Sequence, residues 1–208
     1  MKEILLSIHP QHCNNILLGL KEIEVRKSRP KIEPLFKCYI YETTAKYKTR
    51  LLGLNCTCQG RGKVIGEFVC DKIDKYTAEF VNDGKCYEDI RRKWIDDDGE
   101  EDFEIETSND RDNPEDCELL QKSCLSYVEL KKYIGENFHD IPFYGWHISD
   151  LKIYDKPKEL SEFYTRCNIP ENKCKLCDNC FDREDSYGRH YAVKKLTRPP
   201  QSWCYVEV

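Results

Sequence analysis

Apolar and polar residues alternate in short runs along most of this chain, with the period of two that belongs to strands. Residues 4–9 (ILLSIH) form the first such run. Pro10 suits the first turn of a helix reaching about Leu18, and Gly19 stands where a helix commonly ends. Lys21–Lys27 predicts a second strand, with Ile23 and Val25 on one face and Glu22, Glu24 and Arg26 on the other. FKCYIYE (36–42) and VIGEFVCDKI (64–73) predict two more, rich in β-branched and aromatic residues. Between them, residues 43–63 read as a polar, basic loop containing Gly53, Gly60 and Gly62.

The second half is more mixed. Short helices are predicted near Thr77–Val81 and Tyr87–Trp94, followed by an acidic excursion over 96–118. Ser126 with Glu129 three residues later is a capping-box pattern, opening a helix that ends near Gly135. Phe143–Tyr154 returns to strand character, 157–163 reads as a short helix or turn, and Trp203–Val208 as a closing strand. Many short strands with two or three short helices predict an α+β, mainly β fold: a small β-barrel with helical insertions.

Composition narrows the class. With 208 residues, 39% of them hydrophobic and 12% aromatic, the chain is long and apolar enough to bury a core. No apolar run approaches the roughly 20 residues of a membrane span, and the first ten residues lack the apolar stretch of a signal peptide. Thirteen cysteines without such a leader suit a reducing, cytoplasmic setting, where thiols stay free or hold metal. Cys38 and Cys70, inside strand-like runs, are expected to pack as small hydrophobes. The formal charge of −5 hides an asymmetry. Residues 96–118 hold thirteen Asp and Glu with one base, Arg111, leaving 32 Lys and Arg against 25 Asp and Glu elsewhere. An acidic segment therefore masks a basic body, which suits a polyanionic partner.

Gly19, Lys21, Glu24 and Arg26 form the constellation with most chemistry. A base, an acid and a guanidinium converge at one end of a strand, a donor and acceptor set for a polar heterocycle. The alternative is an exposed strand carrying solvated ion pairs. This G-x-K-x-x-E-x-R pattern, following a strand and a short helix, resembles the signature of the ASCH family in the PUA-like superfamily. The resemblance covers residues 3–75, including Leu6–Pro10, FKCYIYE and Gly66-Glu67-Phe68, and more loosely 143–161. It implies a PUA-like β-barrel with a cleft for RNA or a modified nucleobase. Ser7 and His9 at the end of the first strand, together with Trp146 and His147, are the further ligand-binding candidates beside Lys21, Glu24 and Arg26. Trp146 is the candidate for stacking on a base, with core packing as its alternative.

One branch of ASCH-like proteins consists of amidohydrolases acting on N4-acylated cytidine. The chain is similar to that branch at Lys21 and Arg26 but has Glu24 where the branch expects a threonine. An enzyme would use Lys21 as base and Glu24 in place of that nucleophile. A third function class is a protein-interaction module built on the acidic insertion.

Cys167, Cys174, Cys177 and Cys180 are spaced C-x6-C-x2-C-x2-C. Each C-x2-C turn presents two thiolates to one ion, and four thiolates give the closed tetrahedral site of structural zinc. His190 or Cys204 is a replacement ligand, most readily for Cys167. The expected organisation is a barrel domain over 1–163, with the acidic insertion, and a cysteine-rich metal-binding extension with closing strand over 164–208. Within that extension, GRHYAVKKLTRPPQ (188–201) mixes basic and aromatic residues, as a phosphate-tracking segment or a solvated loop would.

Overall fold

The computed structural model describes residues 3–51, 54–82, 86–95, 98–108, 117–135, 141–167, 180–184, 188 and 190–208. Its elements are β1 (Glu3–Ile8), α1 (Pro10–Leu17), β2 (Ile23–Arg26), β3 (Phe36–Glu42), β4 (Lys46–Leu51), β5 (Leu54–Gln59), β6 (Lys63–Cys70) and β7 (Ile73–Asn82). There follow β8 (Cys86–Ile95), β9 (Glu101–Ser108), α2 (Glu118–Ser123), α3 (Tyr127–Ile134), β10 (Phe143–His147) and β11 (Ser149–Lys158). After a 3₁₀ turn at Leu160–Glu162 come β12 (Tyr164–Arg166), β13 (Cys180–Glu184), β14 (His190–Lys195) and β15 (Trp203–Val206). The fold is mainly β with few short helices, and among the described residues no helix is long and apolar enough to cross a membrane.

Two compact units interleave in sequence: Met1–Cys13 with Phe36–Phe68 and Leu151–Val208, and Asn14–Leu35 with Val69–Asp150. The first is organised by a sheet of order β11-β6-β3-β1-β15. In it β1 runs parallel to β3, from Ile4↔Cys38 to Ile8↔Glu42, and antiparallel to β15. The consecutive Ile4, Leu5 and Leu6 break strict alternation because β1 is buried on both faces. Leu5, Tyr39, Tyr41, Val64, Phe163 and Val206 form a core cluster of this unit. The second unit is organised by the sheet β2-β10-β7-β8-β9. Its core joins Ile23, Val25, Tyr76, Ala78, Ile90 and Phe143 to Leu119, Leu120, Leu130 and Ile134 of α2 and α3.

Four expectations need correction. Each sheet runs between two edge strands, so among the described residues hydrogen bonding closes no barrel. The basic loop over 43–63 contains the β4–β5 hairpin, whose strands pair from Lys46↔Gln59 to Leu51↔Leu54. The helices expected at 77–81 and 87–94 are strands β7 and β8, paired antiparallel with buried Ala78 opposite buried Ile90. Cross-strand packing outweighs local helical preference there. Finally, the acidic excursion supplies strand β9 and the start of α2, and residues 109–116 lie outside the described set. β9 pairs with the basic run of β8, setting Glu104 opposite Arg92 and joining Glu106 to Arg92 at 3.3 Å. Opposite charges on facing strands turn a segment that looks self-repelling into a stable pairing.

Three local expectations match the structure. Gly19 has φ +68°, with its N–H donating to the Ile16 carbonyl and that of Leu20 to the Asn15 carbonyl, a Schellman cap on α1. Ser126 caps α3 in a reciprocal box with Glu129. Trp203–Val206 is the closing strand.

Candidate binding site

The Gly19 cap turns the chain so that Lys21 comes directly after the capping turn of α1, its own N–H still held by the Asn15 carbonyl. The Lys21 side chain reaches the end of α2, where Nζ donates to the Ser123 carbonyl at 2.6 Å. A cation suits the last carbonyls of a helix. The same Nζ lies 3.2 Å from Glu24 Oε2, and the other oxygen of that carboxylate lies 2.9 Å from Arg26 Nη2. Lys21, Glu24 and Arg26 are 3%, 6% and 5% exposed. The charged face of β2 is therefore buried, against the solvated alternative. One carboxylate bridges two cations, and the three side chains together carry a single positive charge. Burying an ion costs several kcal/mol, so such a group persists only where each charge is paired and hydrogen-bonded.

Strand register decides what lies beside it. Trp146 of β10 is opposite Glu24 and Tyr144 is opposite Arg26, so both rings share the sheet face of the charged group. Trp146 is fully buried. Thr77 of β7, on that face, is buried, and its Oγ1 finds no hydrogen-bond partner among the described residues. α3 adds Tyr133, which hydrogen-bonds through its hydroxyl to Arg26, with Lys27 Nζ 5.5 Å from the ring centre. Burial pushes the Tyr133 hydroxyl above its ordinary value, and the Arg26 guanidinium opposes that shift. Tyr133 is a site residue that sequence reading missed. Its signal was faint: an aromatic in a predicted helix, with nothing to pair it to a strand more than a hundred residues earlier.

His147 follows Trp146 and points to the other face of β10. There its Nε2 lies 2.8 Å from Asp74 Oδ2, and Lys72 Nζ lies 2.9 Å from Asp74 Oδ1. The structure thus separates His147 from the charged group and pairs it with Asp74. Burial would raise the Asp74 carboxyl, but the hydrogen bonds from His147 and Lys72 outweigh it and hold the group below its ordinary value. A carboxyl lowered in the folded state contributes stability above its unfolded pKa and loses it as pH falls through the folded one. Asp74→Asn should therefore cost about 1–3 kcal/mol at neutral pH and flatten the acid limb of stability below about pH 4, as read by urea unfolding across a pH series.

Ser7 and His9 belong to the first unit. Ser7 Oγ donates to the Pro200 carbonyl at 2.6 Å. His9 Nδ1 accepts from the Gln11 N–H at 3.3 Å, and its ring meets those of His12 and Tyr47 edge-on. Both are engaged inside that unit.

Of the cysteine cluster, Cys174 and Cys177 lie outside the described residues, as does the side chain of Cys180. Among the described residues no three metal-ligating side chains gather. The backbone does constrain the outer pair. Cys167 N–H donates to the Ala192 carbonyl on one side of β14, whereas Cys180 pairs with Lys194 on its other side. Two strand spacings, about 10 Å, separate them. Cys38 and Cys70 are fully buried as expected, and burial pushes the Cys70 thiol up to about 12.

No family model and no curated protein matches this chain. Two solved structures are similar to it. One is the crystal structure of ASCH from Zymomonas mobilis, 14% identical, covering 99% of this chain and 88% of that one, with a TM-score of 0.49. The other is a single-substitution mutant of the same protein, 15% identical, covering 100% and 91%, with a TM-score of 0.48.

Proposed function

We propose that this chain is an ASCH-type, PUA-like binding module for RNA or a modified nucleobase, read by Lys21, Glu24 and Arg26. The observation that carries this reading is the buried relay in which one carboxylate bridges a lysine and an arginine beside Trp146 and Tyr144. A guanidinium offers a planar donor fork and a carboxylate an acceptor, the complement of a base edge, and the surplus positive charge favours an electron-rich ligand. Arg26→Lys retains the charge and removes the planar fork. It should weaken binding of single-stranded RNA or of a free modified nucleoside about tenfold, with the thermal midpoint close to wild type. Fluorescence anisotropy across a salt series measures the polymer, and calorimetry the nucleoside. Absence of binding by either ligand at low salt would sink the reading.

The amidohydrolase alternative asks one thing more of Lys21 than binding does. A catalytic Lys21 must present Nζ to a substrate carbonyl, and here that atom sits between the Ser123 carbonyl and Glu24 in a buried residue. An interaction module built on the acidic insertion works best if residues 96–118 stand apart from the fold. That segment contributes strand β9 and the core residue Cys117, which is 1% exposed.

We also infer that the C-terminal cysteines hold structural zinc, a reading that rests on their spacing. Cys174, Cys177 and Cys180 are its compact part. The distance across β14 makes Cys167 the ligand most readily replaced, since two thiolates at about 2.3 Å from one ion do not span it without backbone movement. Protein purified without added metal should carry one zinc, retain it in Cys167→Ser and lose it in Cys177→Ser. Metal-free wild type with fully titratable thiols would end the zinc reading.

A further inference from the structure

The small C-terminal sheet β12-β14-β13 carries rings and cations that the proposed function leaves unused. Its register places Tyr164 and Arg166 of β12, Tyr191 and Lys195 of β14, and Phe181 and Arg183 of β13 on one face. There each cation lies against a ring. The Arg166 guanidinium is 4.1 Å from the Tyr191 ring centre, Arg183 is 4.8 Å from Tyr164, and Lys195 Nζ is 5.7 Å from Phe181. The acid of this group, Glu207, accepts from the Tyr191 hydroxyl at 2.8 Å and lies 3.2 Å from Arg166 and 3.5 Å from Arg183. Three cations against one shared carboxylate leave the group positive. In sequence, residues 188–201 hold Arg189, Lys194, Lys195 and Arg198 and no acid.

Next to this face the strands splay. Tyr164 and Glu207 exchange two backbone hydrogen bonds of 2.8 Å, and this is the bridge between β12 and the end of β15. Beyond it Arg166 pairs with β14, while Trp203–Val206 pair with β1. A cavity of about 360 Å³ opens in the angle, lined by Thr165, Arg166, Trp203, Tyr205 and Glu207 among others. Trp203 and Tyr205 meet edge-to-face at 5.5 Å, and both are half-buried. A slot of this size, with aromatic walls, a guanidinium and strand edges at its sides, has the dimensions and chemistry for a flat heterocycle. Cations set along the neighbouring face suit the phosphates attached to it.

We propose that this slot is a second binding site, for a base of single-stranded nucleic acid, with Trp203 as the stacking ring, Tyr205 set edge-on beside it, and Arg166, Arg183 and Lys195 on the phosphates. It shares no residue with the Lys21–Glu24–Arg26 group. Stacking on aromatic side chains tolerates any base, so this site binds single strands with little sequence preference, while the Lys21 group supplies the selection.

The test titrates full-length protein with fluorescein-labelled oligouridylate, oligothymidylate and a duplex of the same length, in wild type, Trp203→Ala, Trp203→Phe and Lys195→Gln. Trp203→Ala should weaken single-strand binding about tenfold or more, Trp203→Phe should restore most of it, and Lys195→Gln should flatten the salt dependence. Oligonucleotide should quench tryptophan emission in wild type and much less in Trp203→Phe, a readout that a merely structural role would not move. Circular dichroism melts identify any variant that fails to fold, in which case Trp203→Phe and the quenching decide. Oligouridylate bound more tightly than oligothymidylate marks RNA as the occupant, and the reverse marks DNA. Equal binding by wild type and a folded Trp203→Ala overturns the proposal, as does duplex binding as tight as single-strand binding. Retention of an extended peptide with no nucleic acid bound also overturns it and reassigns the open strand edges to β-addition. Loss in Trp203→Ala with Arg26→Lys unaffected supports this site while counting against the Lys21 reading, and the converse pattern does the opposite.

Discussion

Replacing Glu24 by alanine should lower the unfolding free energy by about 3–5 kcal/mol, among the largest losses available to a single substitution here. The carboxylate lies between Lys21 Nζ and Arg26 Nη2, with all three residues at most 6% exposed. Without it, two like charges remain in a low-dielectric setting with their mutual repulsion unscreened by solvent. Glu24→Gln keeps an acceptor oxygen but not the charge, and should fall between wild type and alanine. Replacing the group together by Met, Leu and Met removes the desolvation cost along with the attraction, and should restore much of the loss. Urea midpoints at constant m-value measure the series. If Glu24→Ala proves neutral, the cluster is solvated and the electrostatic argument for a ligand at this face falls with it.

Trp146→Ala should cost about 3–5 kcal/mol, the other large effect. The side chain is fully buried on the face it shares with Glu24, and its removal leaves a cavity that strands held in register by β2 and β7 cannot collapse around. Trp146→Phe keeps most of the apolar volume and should cost less than half as much. The pair also separates two roles the residue was expected to hold. A ring that only packs leaves ligand affinity unchanged in a folded Trp146→Phe, whereas a ring that stacks on a base weakens it measurably. Unfolding curves and anisotropy on the same preparations give both numbers.

Legibility followed how local the deciding interaction is. The Gly19 terminator, the Ser126–Glu129 box and the FKCYIYE strand were readable because each is decided within a few residues by φ, by one hydrogen bond or by alternation. β8 was misread as a helix because its apolar and charged residues fit either period, and only pairing with β7 and β9 selects the strand. β9 was misread for a related reason: an acidic run repels itself in isolation and finds its counter-charges on a strand that precedes it by a turn. The candidate site divides along the same line. Lys21, Glu24 and Arg26 were singled out from their spacing, and the structure joins them through one carboxylate. His147 was grouped with Trp146 from sequence proximity, whereas alternation along β10 sends it to Asp74.

By itself the sequence determined the helix caps, seven of the fifteen described strands and which charged residues stand on one face of β2, since these depend on dihedral preference and side-chain period alone. Only the tertiary structure decided that this charged face is buried, that Ser123 and Tyr133 complete its contacts, and that Trp203, Tyr205 and Arg166 line an open slot. Each of those depends on residues far apart in the chain, brought together by sheet register and helix packing, and no local rule specifies which distant partner satisfies a buried charge.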